Sequence, residues 1–249
     1  MNKNFFIIMD LKLKNKVALV TGSTRGIGLA IGENLQEEGC TVIFNGRKNS
    51  KNSNYIKADV TKKSDCQKLI KEVIKKHGKL DILICNVGSG KSVISGKETQ
   101  DDWEKMFMIN FYSSTNMIKF SEKELEKTHG TIVCMSSIAG IETTSAPITY
   151  AIAKSALNSY IKHTSKRLAN HGIRINGIAP GNIIFNGSTW DHQMKKTPLK
   201  VKKMLQKSVA MKRFGTTNEV SSLAVFLSSP KASFITGSVY VVDGGQIKS

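Results

Sequence analysis

Short continuous apolar runs alternate along the chain with longer segments in which apolar residues recur every third or fourth position. Seven runs read as strands: Lys16–Thr21, Thr41–Asn45, Tyr55–Ala58, Asp81–Asn86, Thr131–Ser136, Ile173–Ile178 and Ser238–Val242. They are continuous rather than alternating, as in strands covered on both faces. Between them, Cys66, Leu69, Ile70, Val73 and Ile74 fall on one face of a helix over 64–76. Gly78 ends that helix, and Lys75, Lys76 and His77 suit the negative end of its dipole. Similar periodicity predicts helices over 26–38, 101–127, 148–170 and 217–229. Strict β/α alternation predicts an α/β fold with a doubly wound parallel sheet of about seven strands and helices on both faces. We expect a single domain over 1–249, with 1–14 as an N-terminal extension and 182–212 as a lid over the substrate. Ligands in such sheets bind beyond the carboxyl ends of the strands, so chemistry is sought directly after each strand.

The chain carries 37 Lys+Arg against 19 Asp+Glu, a net charge of +18. The lysines are spread along the whole length, and the densest run, Lys195 to Lys212, has little aromatic content for stacking bases. We therefore expect no nucleic-acid partner, although the charge can attract an anionic cofactor or substrate. The four cysteines form no C-x-x-C and have no histidine at metal spacing, so they read as core hydrophobes in a reducing compartment, with no metal site. The apolar patch Phe5–Met9 is too short to cross a membrane and no apolar run of 18 occurs, so a cytoplasmic protein is expected. Met9 is an alternative start, because the sequence from there suffices to enter the first strand.

After the first strand comes "TGSTRGIG", with Gly22, Gly26 and Gly28 opening the next helix. Glycines there allow close approach to a pyrophosphate, which the helix N-terminus attracts. A second candidate, "GSGKS" at 88–92, resembles the end of a P-loop but has Cys85 where the first glycine belongs. After the second strand, an NAD-binding chain carries an acid for the ribose 2′-hydroxyl. Here Gly46 stands there, Arg47 follows, and Arg25 lies in the glycine loop. Two arginines without a carboxylate favour a 2′-phosphate, hence NADP(H), with NAD(H) left open. Of five tyrosines, only Tyr150 has a lysine, Lys154, four residues on, one helical turn away.

The ordered set "TGSTRGIG", "ADV" at 58–60, "CNVG" at 85–88, Asn110 in "MIN", "SSIAG", "YAIAK", "APG" at 179–181 and "TGSVYVVDGG" resembles the short-chain dehydrogenase/reductase family. The resemblance runs from Lys16 to Gly245 and is strongest to 3-oxoacyl-(acyl-carrier-protein) reductases. It implies a Rossmann fold and hydride transfer between a nicotinamide cofactor and a carbonyl or secondary alcohol. It implies a catalytic set of Asn110, Ser137, Tyr150 and Lys154. A nearby ammonium favours tyrosinate, so Lys154 is expected to lower the Tyr150 pKa from about 10 and to bond the nicotinamide ribose. Ser137 would orient the carbonyl oxygen, and Asn110 would hold a water that relays protons through Lys154. For the cofactor it implies contacts from Gly22, Ser23, Thr24, Arg25, Gly26, Ile27, Gly28, Arg47, Asp59, Val60, Asn86, Val87, Gly88, Tyr150, Lys154, Pro180, Gly181 and Ile183. It also implies a homotetramer or homodimer built through the helices over 101–127 and 148–170 and the C-terminal strand.

The chain departs from the family pattern at Cys85 and Val87, where Asn and Ala are usual, and at Phe185, where Thr is usual. The lid adds Trp190 and several lysines, which suits a partly apolar, anionic substrate: an acyl-carrier thioester or a phosphorylated or nucleotide-linked sugar. The loop "GSGKSV" faces the same cleft and is a further candidate anion site. Three functions compete: a carbonyl reductase or alcohol dehydrogenase, including a sugar or nucleotide-sugar enzyme of glycan biosynthesis; a non-catalytic cofactor-binding regulator; and a basic nucleic-acid binder.

Overall fold

All seven expected strands form, as β1 (Val17–Val20), β2 (Thr41–Gly46), β3 (Tyr55–Lys57), β4 (Ile82–Cys85), β5 (Thr131–Met135), β6 (Arg174–Pro180) and β7 (Val239–Val242) in a computed structural model that describes residues 9–248. They make one parallel sheet in the order β3-β2-β1-β4-β5-β6-β7. The order reverses between β1 and β4, which opens a crevice at their carboxyl ends.

The continuous apolar runs explain the layering. Successive residues of a strand point to opposite faces. Leu19, Ile43, Leu83 and Ile132 join a core with α2 (Lys63–His77), α4 (Ser113–Thr128) and α5 (Ile148–Ala169). Their neighbours Ala18, Val42, Ile84 and Val133 join a second core with α1 (Gly26–Glu37) and α8 (Thr217–Ser228). Each such fully buried aliphatic side chain contributes about 1.5–3 kcal/mol. As expected, α2 ends at Gly78, whose φ of +75° puts it in the left-handed region and whose N–H returns to Ile74 O at 2.8 Å.

One expected helix is revised. The helix over 101–127 is instead α3 (Gln100–Phe107), a wide π turn at Met108–Tyr112, and α4. Part of the expected N-terminal extension over 1–14 packs inward. Leu13 is buried in the core of α1 and α8, and its carbonyl accepts from the Cys40 thiol. Phe5–Ile8, and with them most of the apolar patch, lie outside the described residues. The stretch over 182–212 holds two helices beyond those expected, α6 (Thr189–Lys196) and α7 (Pro198–Ser208). They close a small core of their own, in which Val201, Leu205 and Val209 meet Trp190, Met194, Met204 and Phe214.

The four cysteines are free and buried. Burial pushes the Cys40 and Cys66 thiols up to about 12, and Cys85, paired in register with Cys134 across β4 and β5, is raised well above the ordinary thiol value by that thiol and by burial. Cys40, Cys66 and Cys85 remain protonated core groups. Among the described residues no helix is long and apolar enough to cross a membrane.

Candidate active site

Two clefts lie at the carboxyl ends of the strands. The first, about 300 Å³, occupies the β1/β4 crevice. Gly22, Thr24 and Arg25 form one wall, Arg47, Asp59 and Val60 a second, and Asn86, Val87 and Gly88 the third. The second, about 470 Å³, has Tyr150 and Ser137 on one side and Pro180, Gly181, Ile183 and Ile27 opposite. Arg25 lines the first and Ile27 the second, so the clefts meet at Gly26.

The glycine loop is shaped to carry a chain of phosphates across that junction. Gly22 and Gly26 have φ of +61° and +60°, which L side chains rarely adopt. A Cβ on Gly28 would stand 2.3 Å from Asn86 Nδ2. Asn86 Nδ2 in turn donates to Thr21 O and Gly22 O, fixing the loop to β4. The N-terminus of α1 has no side-chain cap and no acid in its first turn, so its free N–H groups and dipole are left for an anion. Ser23 turns inward, donating to Val20 O at 2.7 Å and accepting from Asn45 N. These residues fit a dinucleotide.

Gly46 occupies the place of the missing acid for a steric reason. A Cβ there would meet Thr24 Cγ2 at 2.7 Å and the Tyr55 hydroxyl at 2.8 Å. Arg47 is exposed beside it. Arg25 lines the cleft but reaches the loop before α6, its Nη1 donating to Gly187 O at 3.2 Å. Asp59 Oδ1 accepts from the Thr61 N–H and hydroxyl, which shapes the turn after β3. Val87 crowds the loop, with its Cγ2 2.9 Å from where a Gly22 Cβ would be. The Phe185 ring lies directly on Gly26, 2.6 Å from the position of an added Cβ.

In the second cleft, α5 carries Tyr150 and Lys154 on one face, as their spacing predicts. Lys154 is buried behind Tyr150, with Nζ 6.0 Å from the ring centroid and donating to Met135 O at 2.7 Å. Burial depresses the Lys154 pKa to about 8. Burial also raises the Tyr150 pKa, and a hydrogen bond with Ser137 pulls it partly back. The expected lowering by Lys154 is therefore corrected: desolvation outweighs it, and Ser137 is the group that favours the tyrosinate. Ser137 Oγ also accepts from Ala139 N, while Ser136 is committed to Asn158, which separates the two serines by role.

Asn110 is fully buried in the π turn. Its Oδ1 accepts from Ser89 N at 2.9 Å, and its Nδ2 donates to Ser89 O and to Met106 O four residues back. The side chain thus ties the π turn directly to the loop after β4. Gly88 is where Asn110 and Lys154 converge: an added Cβ would lie 3.0 Å from Asn110 Oδ1 and 3.1 Å from Lys154 Nζ. Asn110, Lys154, Ser23, Gly26 and Gly28 thus stand behind the walls that the other predicted residues line.

Sequence reasoning missed Asn158, one turn beyond Lys154, whose Nδ2 donates to Gly140 O at 3.0 Å and whose Oδ1 meets Ser136. Its place at i+4 from Lys154 was the available signal. Also missed were Thr144, Ser145, Gln193 and Gln246 around the second cleft. The expected basic lid is corrected as well. Lys195, Lys196, Lys200, Lys202, Lys203 and Lys207 are exposed and none lines this cleft, because α6 and α7 turn their apolar face inward. Lys91, of the "GSGKSV" loop, lines a separate pocket beside Asp102 and Lys105.

A glycine loop at the switch point of a parallel sheet, and a tyrosine with a buried lysine at the next cleft, define a nucleotide-dependent oxidoreductase. Comparison with known proteins agrees. The family profile described as enoyl-(acyl carrier protein) reductase matches residues 22–246. A 3-oxoacyl-(acyl-carrier-protein) reductase of Thermotoga maritima is 28% identical over 95% of this chain and 100% of its own. Dehydrogenase/reductase SDR family member 4 of Mus musculus is 32% identical over 94% of this chain and 88% of its own. The crystal structure of Cj0485 dehydrogenase superposes with a TM-score of 0.90, at 28% identity, over 97% of both chains. The chain belongs to the short-chain dehydrogenase/reductase family and is a nicotinamide-dependent enzyme of it, which sets aside the regulator reading.

Proposed function

We propose that the protein interconverts a carbonyl compound and a secondary alcohol with NADP(H), in the cytoplasm. The observation that carries this is the placement of Tyr150 and Ser137 on one wall of a cleft that adjoins the dinucleotide crevice. A bound nicotinamide cofactor supplies or accepts the hydride at the substrate carbon. Ser137 orients the substrate oxygen and Tyr150 gives it a proton in reduction or takes one in oxidation. A phenol whose pKa is raised holds its proton at neutral pH, which suits the reductive direction. Lys154, anchored on Met135 O, places a positive charge beneath the phenol and the Gly88 backbone. Asn110 positions Ser89, and Gly88 next to it, through its two bonds to Ser89. The adenosine end would lie against Asp59 and Val60, with Arg47 and Arg25 meeting a 2′-phosphate and no carboxylate opposing it. Pro180, Gly181 and Ile183 would hold the nicotinamide end.

For the substrate, the named relatives point to a 3-oxoacyl group on a carrier, and the alternative is a sugar-type carbonyl. Assembly as a homotetramer or homodimer is supported by apolar side chains left exposed on the expected helices, Met108 and Tyr112 on one and Ile148 and Ile152 on the other. Fluorescence titration tests the cofactor assignment. NADPH should bind at least about tenfold more tightly than NADH; equal affinity, or a preference for NADH, removes the role given to Arg25 and Arg47.

A further inference from the structure

The chemistry of the second cleft narrows the substrate. Tyr150 is the one ionisable side chain among the described residues that line it; no Lys, Arg, His, Asp or Glu faces it. Arg213, in the adjoining cavity that shares Asn182 and Ile183, is already paired with Glu219 at 2.6 Å. An anionic group entering this cleft would leave water with no charged side chain on the walls to pair with.

The walls are rich in uncharged hydrogen-bonding groups. Ser145, Thr189 and Gln193 line the cleft with no side-chain partner in the protein among the described residues. Thr144 accepts only from Ala146 N, and Gln246 uses only its Oε1, on Asn182 N, so each keeps a donor. Trp190 adds an aromatic face, held by its tilted contact with Phe214 at 5.4 Å. A site of this kind suits a compound with hydroxyl groups beside the reacting carbon, whose C–H face can rest on the indole ring. An alkyl chain would use none of these donors and acceptors, and sites that bond a substrate hydroxyl discriminate strongly against analogues that lack it.

We infer that the substrate is an uncharged polyhydroxylated carbonyl compound or its alcohol, a neutral sugar or polyol, rather than a sugar acid, a sugar phosphate or an acyl thioester. This rests on the Tyr150-centred reading above. The step balances with the cofactor alone: in oxidation the carbinol carbon gives up a hydride and its hydroxyl a proton to Tyr150, leaving a carbonyl, and reduction reverses both.

The test is a panel of neutral aldoses, ketoses and polyols, the matching uronates and sugar phosphates, and acetoacetyl-N-acetylcysteamine. Each is assayed with NADP+ or NADPH on wild type, Gln193→Leu and Tyr150→Phe. A neutral polyhydroxy compound should exceed every charged or thioester member by at least about tenfold in kcat/KM. Gln193→Leu should raise its KM about fivefold or more, with kcat and NADPH affinity little changed. A charged compound or the thioester as best substrate, or an unchanged KM in Gln193→Leu, overturns the inference while leaving the oxidoreductase reading in place. Turnover that survives intact in Tyr150→Phe overturns the underlying reading instead, and no turnover of any panel member overturns the inference.

Discussion

Replacing Lys154 by Met should separate what the buried ammonium costs the fold from what it does for the reaction. Lys154 is 2% exposed and its pKa is depressed from 10.5 to about 8 by desolvation. The sign follows from linkage. Below pH 8 both folded and unfolded chains carry the charge, and the folded state bears the full desolvation penalty. Above 10.5 neither is charged and the penalty vanishes, so between these values stability rises with pH. At about 1.4 kcal/mol per pKa unit, the penalty is about 3 kcal/mol at pH 7, about 2 at pH 9 and under about 1 at pH 10. Lys154→Met abolishes it but leaves Met135 O without its donor, a pH-independent loss of about 1–3 kcal/mol. Urea unfolding of both proteins from pH 7 to pH 10 cancels the titrations they share. The variant's stability relative to wild type should fall by about 1 kcal/mol between pH 7 and pH 9, and by about 2 or more by pH 10. A difference that stays flat across this range would refute the claim that Lys154 sits as a desolvated ammonium.

Three further predictions follow from the same contacts. Phe185→Ala removes a ring contact of about 1–2 kcal/mol that a dinucleotide must displace from Gly26, so the NADPH Kd should tighten about fivefold or more by equilibrium titration; a weaker or unchanged Kd contradicts that placement. Ser137→Ala removes the hydrogen bond that pulls the Tyr150 pKa down, so the alkaline rise of alcohol oxidation should move to higher pH in a pH–rate profile, with kcat lowered about a hundredfold; an unmoved limb would deny the bond. Asn110→Ala orphans Ser89 N and the Met106 carbonyl and should lower unfolding stability by about 2–4 kcal/mol in urea, whereas a loss under about 0.5 kcal/mol would mean these groups find other partners.

The sheet was legible because each strand is buried on both faces, so its apolar run stands out from the amphipathic helices around it. Tyr150 and Lys154 were legible because one helical turn is a local geometry that spacing determines. The π turn was not, since 101–127 reads as continuous helix and the widening at Asn110 depends on a bond to Ser89, a loop far back in sequence. The helices α6 and α7 were hidden by their lysines, although Trp190, Met194, Val201, Met204 and Leu205 carry the helical spacing in retrospect. Phe185 stood out as a departure from pattern, but its seat on Gly26 joins two segments that only the folded chain brings together. The basic lining expected from 182–207 was misjudged for a related reason: counting its lysines says nothing of which face of α6 and α7 they occupy.

The central claim is that the Tyr150 phenol exchanges the proton in a hydride-transfer site whose cofactor binds independently of that proton. Single-turnover oxidation of NADPH by Tyr150→Phe, followed by its absorbance with a substrate the wild type reduces, tests it directly. The account predicts a rate lowered by at least about a thousandfold with NADPH affinity within about twofold of wild type. A Tyr150→Phe protein that turns over near the wild-type rate contradicts it.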